Sequence, residues 1–336
     1  MDIITQGLAG AMLAQAGAKT EHKRIATVVG FSVGLLPDAD ILIRSSSDPL
    51  LNLEYHRQFS HALLFIPAGA LIAAILLLPV IRRHLSFFQL YIFCLLSYST
   101  GGLLDACTSF GTQLFWPFSD QRIAWNLIAV IDPVFTLGLS GLLIIGWKKR
   151  KTRFAVMGVG FAVMYLLLAF AQQQTVAAIQ QQLAQARGHQ IEQSIVKPTL
   201  GNIILWRSVY LHQGYYYVDG IRDSFFGQRK IYTGNAIEKY RLDSRFNDRA
   251  IAAIQYDDLK RFNSLSLGFL VKHPKDSQVI GDIRYAMLPH ITEPLWGIRM
   301  DRDKPQEHVR EVLFRKSDST TRKTFLRMLL GENIRG

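Results

Sequence analysis

Cysteine is nearly absent. The chain of 336 residues has two, Cys94 and Cys107, with no CxxC pair, which excludes a disulfide framework and leaves the redox compartment unread. Charge is sparse too: 19% of the residues are charged, against about 25% in soluble proteins. The scarcity is local. Before about residue 171 the chain holds nearly all its long apolar runs, and Ala62–Ile81 carries no charge. The N-terminal MDIITQGLAGAMLAQAGAK lacks the basic start of a secretory signal, so it is expected to stay in the mature chain. The net charge of +12 does not point to nucleic acid, because much of the first half's positive charge sits in short clusters between apolar runs. Membrane topology requires that pattern, so membrane lipids are the expected partners and no nucleic acid is.

What is present is a series of apolar segments. A spanning helix needs about 20 mostly apolar residues, and Ala62–Ile81, Phe88–Thr108, Leu127–Trp147 and Phe154–Ala171 come near that length. Ile3–Ala18 is short and rich in glycine and alanine, and Ile25–Ile43 is broken by Pro37, Asp38 and Asp40. Gly7, Gly10, Ala14 and Gly17 permit close helix contact, so these two segments are expected to pair as a tight hairpin. Re-entrant or interfacial segments are the alternative. The expected fold is an α-helical integral membrane bundle of about six spans over residues 1–171. A small antiparallel β-rich extramembrane domain is expected over residues 172–336.

Orientation follows from the loops. Lys19, Lys23, Arg24, Arg82, Arg83, Lys148, Lys149, Arg150, Lys151 and Arg153 fall in one set, against Arg44, Arg57 and Arg122 in the other. The basic set marks the cytoplasmic side. The N-terminus and everything after Ala171 are then expected outside, on the periplasmic side of a bacterial inner membrane. Asp38, Asp40, His56, His61, Asp105 and Asp132 all reach that same outer side, although the charge count used none of them.

Carboxylates and neutral imidazoles together are ordinary zinc ligands, and carboxylates also suit manganese or magnesium. The expected metal ligands are Asp38, Asp40, His56, His61 and Asp105, with zinc the first choice. In an extended PDAD stretch, Asp38 and Asp40 point the same way. His56 and His61 are five residues apart, about 140° on a continuous helix. His56 is therefore placed in the incoming loop and His61 in the first helical turn, with Ser60 as N-cap. Asp105 and Thr108 share a helix face. Plainer readings compete. Asp132-Pro133 is a good N-cap pair, Asp38 can simply end a helix, and His61 can be an interfacial histidine. Arg57 faces either lipid headgroups or a substrate phosphate, and Thr108 and Ser109 suit bonds to their own helix backbone.

The phrases MDIITQGLAGAMLAQAG, LLPDADIL, YHRQFSHALL, LLDACTSFGTQLFWPFS and IDPVFTL together resemble a bacterial family of inner-membrane-associated, metal-dependent hydrolases. Some members of that family are named LexA-binding. The resemblance covers roughly residues 1–145. Its H-R-x-x-S/T-H pattern falls on His56, Arg57, Ser60 and His61, its P-D-x-D pattern on Asp38 and Asp40, and its D-x-x-T/S pattern on Asp105 and Thr108. Many members carry Thr-His near the N-terminus where this chain has Thr5-Gln6, and glutamine is a poor metal ligand. A longer-chain branch carries glutamine there and shares the phrases DIRYAML and LWGIRMD. The resemblance implies a divalent-metal hydrolase.

After Ala171 a Gln/Ala-rich stretch, Gln172–Gln193, is expected to prolong the last span as a helix, ended by Pro198 and Gly201. NIILWRSVYL and YYYVDGIRDSFF alternate around His212-Gln213-Gly214 and predict a hairpin. LSLGFLVKH, QVIGDIRYAML, LWGIRMD and EHVREVLFRK read as further short strands, and Thr320–Leu330 as a closing helix. Asp282, Arg284 and Trp296 are candidates for a lid over the cluster.

The reading that unites these features is a membrane metallohydrolase acting on an ester or phosphoester at the outer face. His61 and Arg57 are the expected catalytic residues, and an amphiphilic substrate is expected from the headgroup-level position. The alternative is a non-catalytic scaffold or sensor with a structural metal. A transporter would spread ionisable residues through the membrane depth, which the later segments do not do.

Overall fold

Two helices rich in small residues begin the chain. In the computed structural model, which describes residues 1–225, 227–242, 253–301, 303–304, 306–315 and 318–334, they are α1 (Ile3–Gly17) and α2 (Lys23–Gly34). Asp2 caps α1 by accepting from the Thr5 N–H. A Cβ on Gly10 would meet the Gly30 carbonyl oxygen at 2.6 Å, and one on Gly30 would meet Ala14 Cβ at 2.7 Å. The helices therefore touch backbone to backbone, as the expected hairpin requires. Lys23, counted in the loop between the first two segments, instead opens α2, is buried and donates to Thr152 Oγ1 at 2.7 Å. The end of α1 leaves carbonyls without helical partners, and its ammonium lies near two of them, at Gln15 and Ala18.

A short helix α3 (Leu51–Tyr55) precedes the apolar helices α4 (Ile66–Ile81), α5 (Phe87–Ala106), α6 (Pro133–Lys149) and α7 (Thr152–Ala186). Ser86 and Gln89 form a capping box on α5. Asp132 caps α6 by accepting from the Val134 and Phe135 N–H groups, and it also accepts from the Tyr165 hydroxyl at 2.8 Å. Its structural reading is the one realised. Among the described residues, four helical segments are long and apolar enough to cross a membrane: Thr20–Leu42, Leu63–Ile81, Phe87–Ala106 and Thr152–Ala186. The other two expected spans are represented by α1, with 15 residues, and α6, with 17. At 35 residues α7 is about 52 Å long, well beyond a hydrocarbon core of about 30 Å. Its last part, Gln172–Ala186, is the glutamine-rich stretch, which ends as a helix at Ala186 rather than at Gln193, where a strand begins.

The chain divides into two compact units. One comprises Met1–Ile43, Tyr55–Ala171 and Leu200–Asn202; the other comprises Arg44–Glu54, Gln172–Thr199 and Ile203–Gly336. The second unit contains two four-stranded antiparallel sheets, each a simple meander. The first is β1 (Gln193–Pro198), β2 (Leu205–His212), β3 (Tyr215–Arg222) and β4 (Lys230–Glu238). The second is β5 (Leu270–His273), β6 (Asp276–Asp282), β7 (Trp296–Arg299) and β8 (Arg310–Leu313). α8 (Ala253–Leu265) lies between them in sequence, and α9 (Ser319–Leu330) follows. Phe226 and Lys316, at the ends of two predicted strand segments, lie outside the described residues. Leu50 is fully buried in this second unit with Leu259, Phe262, Trp296 and Ile298, which explains why residues 44–54 belong to it.

Candidate metal centre

Past α2 the backbone tightens into a 3-10 turn, Leu36–Leu42, with Pro37 in its first turn. The extended PDAD geometry is therefore not realised. At three residues per turn, side chains two apart diverge by about 120°, so the two carboxylates reach His61 at different ring nitrogens. Asp40 is buried. Its Oδ1 stands 2.7 Å from His56 Nδ1, and its Oδ2 accepts from the Arg57 N–H at 2.9 Å and Ser60 Oγ at 2.7 Å. Oδ2 also lies 3.2 Å from His61 Nδ1. Asp38, half-buried, brings Oδ1 to 3.3 Å from His61 Nε2.

His56 lies in the turn after α3, as expected, but His61 does not begin a long helix. It closes a separate 3-10 turn, Phe59–His61, and α4 starts only at Ile66. Ser60 is consequently no N-cap: its hydroxyl serves the buried Asp40 carboxylate, which needs donors that solvent cannot supply. Two features of α5 hold this turn in place. The Tyr98 hydroxyl donates to the Ser60 carbonyl at 2.9 Å, and Gly102 lets the His61 carbonyl lie where a Cβ would stand 2.3 Å from its oxygen.

Arg57 has a left-handed backbone, φ 62°, and its side chain is buried rather than turned toward headgroups. Its Nε lies 3.0 Å from Asp105 Oδ2, its Nη1 donates to Thr108 Oγ1 at 3.0 Å, and its guanidinium lies over the Phe110 ring. A buried carboxylate is the stronger partner, which corrects the headgroup reading. Thr108 also donates to the Asp105 carbonyl at 2.8 Å, the local helix bond expected of it. Asp105, in the last turn of α5, is fully buried. His61 Nε2 at 3.1 Å and Gln6 Nε2 at 3.1 Å converge on its Oδ2, while the Met1 amine takes Oδ1.

Asp38, His61 and Asp105 can offer one ligand atom each, all within 4.8 Å of one another; so can Asp38, Asp40 and His56, and the two groups share Asp38. All five residues singled out in the sequence therefore meet, and Asp132 stays apart as a cap. Burial alone would lower the His61 imidazole pKa, but the Asp105, Asp38 and Asp40 carboxylates around it outweigh burial and push it up to about 10. Despite the short distances, His61 Nε2 and Asp38 Oδ1 are buried without a well-directed hydrogen bond to any described residue, and so is Gln6 Oε1. Carboxylate and imidazole donors that converge and lack directed hydrogen-bond partners fit a divalent cation. Gln6 is the neighbour that ligand chemistry overlooked; it enters through close packing of α1 on α5. A third acid-imidazole group, Asp48, Asp258 and His308, lies in the C-terminal unit. There Arg261 already pairs with Asp48, Glu54 and Asp258.

A bundle of apolar helices whose ends enclose an acid-imidazole cluster defines an integral membrane protein with a candidate metal centre. Residues 1–176, more than half of the chain, match the YdjM inner membrane protein family, and the chain belongs to that family. It is also similar to the inner membrane protein YbcI of Escherichia coli (strain K12), 27% identical over 147 residues, which cover 36% of this chain and 83% of that one. No solved structure matches.

Proposed function

We propose that the chain is a membrane-embedded metal-dependent hydrolase of esters or phosphoesters, working at the periplasmic face of the inner membrane. The observation that carries this reading is the meeting of Asp38 Oδ1 and His61 Nε2, buried and without directed hydrogen bonds, beside Asp105. Asp38, His61 and Asp105 hold the metal, with Asp38, Asp40 and His56 as a second position. Zinc held there would supply Lewis acidity and lower the pKa of a water toward about 7, and manganese or magnesium in its place would supply Lewis acidity more weakly. The protein does the rest. Asp40 lies against Nδ1 of both histidines, and for His61 this leaves Nε2 facing Asp38 and Asp105. Arg57 keeps a fixed positive charge beside Asp105, ready to balance negative charge developing on an ester or phosphoester oxygen.

Position favours an amphiphilic substrate. Leu42 and Leu64, two and three residues from Asp40 and His61, are 78% and 60% exposed, as apolar side chains in contact with lipid would be. The outward orientation rests on the loop lysines and arginines, with α1 and α6 as the two additional crossings.

Elemental analysis of the detergent-purified protein beside a His56→Ala, His61→Ala double variant tests the reading. One or two metal equivalents, lost in the variant together with phosphodiester or ester hydrolysis, are expected. A wild type that stays metal-free after incubation with zinc or manganese would sink it. The scaffold reading draws on the Arg57–Asp105 ion pair, which already neutralises part of the cluster; metal retained without any hydrolysis would favour it.

A further inference from the structure

Lysine is rarely buried unless paired, because an ammonium without an acceptor loses its hydration for nothing. Lys197, on β1, is 9% exposed. Its Nζ lies 3.5 Å over the Tyr285 ring and donates no hydrogen bond to any described residue. Directly across the β1–β2 ladder stands Arg207, also buried. Arg284, fully buried, places its guanidinium 5.5 Å from the same Tyr285 ring.

The obvious counter-ion is already engaged. Asp282 accepts from Arg284 Nε and Nη2, leaving Arg284 Nη1 buried with no hydrogen-bond partner among the described residues. Arg207 spends its donors on backbone carbonyls of Ile283, Leu288, Pro289 and Ile291 and meets no carboxylate among the described residues. Three buried cations thus face one carboxylate. Burial and the adjacent Arg284 hold the Lys197 amine well below the usual lysine range, so its full positive charge needs an anion beside it.

We propose that Lys197 and Arg284, backed by Arg207, form an oxyanion site in the C-terminal unit that takes a phosphate group, free or on a lipid headgroup. A doubly charged phosphate matches the excess of two positive charges. Its oxygens supply acceptors for the Lys197 ammonium and for Arg284 Nη1, the two groups that lack them. The site shares no residue with the acid-imidazole cluster and does not depend on its chemistry.

The test uses the full chain in phosphate-free maltoside micelles, titrated with inorganic phosphate by calorimetry and, in parallel, with phosphatidic acid doped into the micelles. One saturable equivalent is expected in at least one arm, with affinity reduced at least tenfold in Lys197→Met and largely kept in Lys197→Arg. Saturation by inorganic phosphate marks a free-phosphate site; saturation by phosphatidic acid alone marks a headgroup site. No saturation in either arm, or the same affinity in Lys197→Met, overturns the proposal. Should Lys197→Met fail to fold, acylation of wild-type Lys197 followed by mass spectrometry decides: the ligand is expected to protect this lysine, and unchanged labelling rejects the site.

Discussion

His56 presents Nδ1 to Asp40 Oδ1 at 2.7 Å, and the same carboxylate stands 3.2 Å from Nδ1 of His61. One acid thus addresses two imidazoles from the same ring position. Ser60 bridges the arrangement, with its hydroxyl 2.7 Å from Asp40 Oδ2 and 3.0 Å from His61 Nδ1.

Ser60→Ala removes that bridge and none of the candidate ligands. Partners of this kind typically contribute about 10–100-fold to metal affinity. Competition with a chromophoric chelator is expected to show zinc binding weakened on that scale. Unchanged affinity would mean that Asp40 alone orients the histidines.

Gly102→Ala is expected to damage the centre without altering any polar group. The new methyl would meet the His61 carbonyl oxygen at 2.3 Å, backbone that cannot yield cheaply. Metal content should drop sharply and the thermal midpoint should fall. Gly141→Ala in α6, with nothing within 4 Å, is the control. It should be neutral or stabilising by up to about 1 kcal/mol, the helix-propensity difference.

Arg57→Met leaves Asp105 buried with one positive partner fewer. Breaking a buried ion pair from one side costs about 3–5 kcal/mol, and unfolding in detergent should show a loss of that order. Adding Asp105→Asn to the same chain should recover much of it. A double variant no better than the single one would show that the pair does not share its energy in this way.

Acid sensitivity of the C-terminal unit follows from Asp48. Burial alone would raise its carboxyl pKa, but the hydrogen bonds and charge of Arg261, with the Leu50 N–H, outweigh burial and lower it. A depressed folded value stabilises the fold above the unfolded pKa of about 3.9, and the gain is lost as pH falls through the folded value. Tryptophan fluorescence during acid titration should therefore show Arg261→Gln losing less stability below about pH 4 than the wild type does. Parallel acid branches would remove Asp48 from the account.

Features written in local chemistry were legible in the sequence. Asp132-Pro133 caps α6, and the turn between β2 and β3 falls at Gln213-Gly214, both with positive φ, as a two-residue hairpin turn demands. The five acid and imidazole residues could be grouped because each stands at the same end of its apolar segment. Contacts made only by packing were not legible. Gln6 reaches Asp105 across 99 residues of chain, and Ser60 passes for a cap until the buried carboxylate beside it is seen. β1 was hidden because Pro198 argues against a strand, yet β1 lies at a sheet edge, where proline is tolerated.

The stretch from Arg44 to Glu54 ends one residue short of Tyr55, yet its Leu50 is buried among α8 and β7 residues and its Asp48 and Glu54 bind Arg261. The two units are therefore threaded through each other in the gene. Recombination at a single junction near residue 171 would carry away the partners of Leu50 and strand an apolar loop just ahead of His56. An exchange of the C-terminal unit between relatives has to move two separate pieces of coding sequence together, so the unit is not inherited as a contiguous cassette.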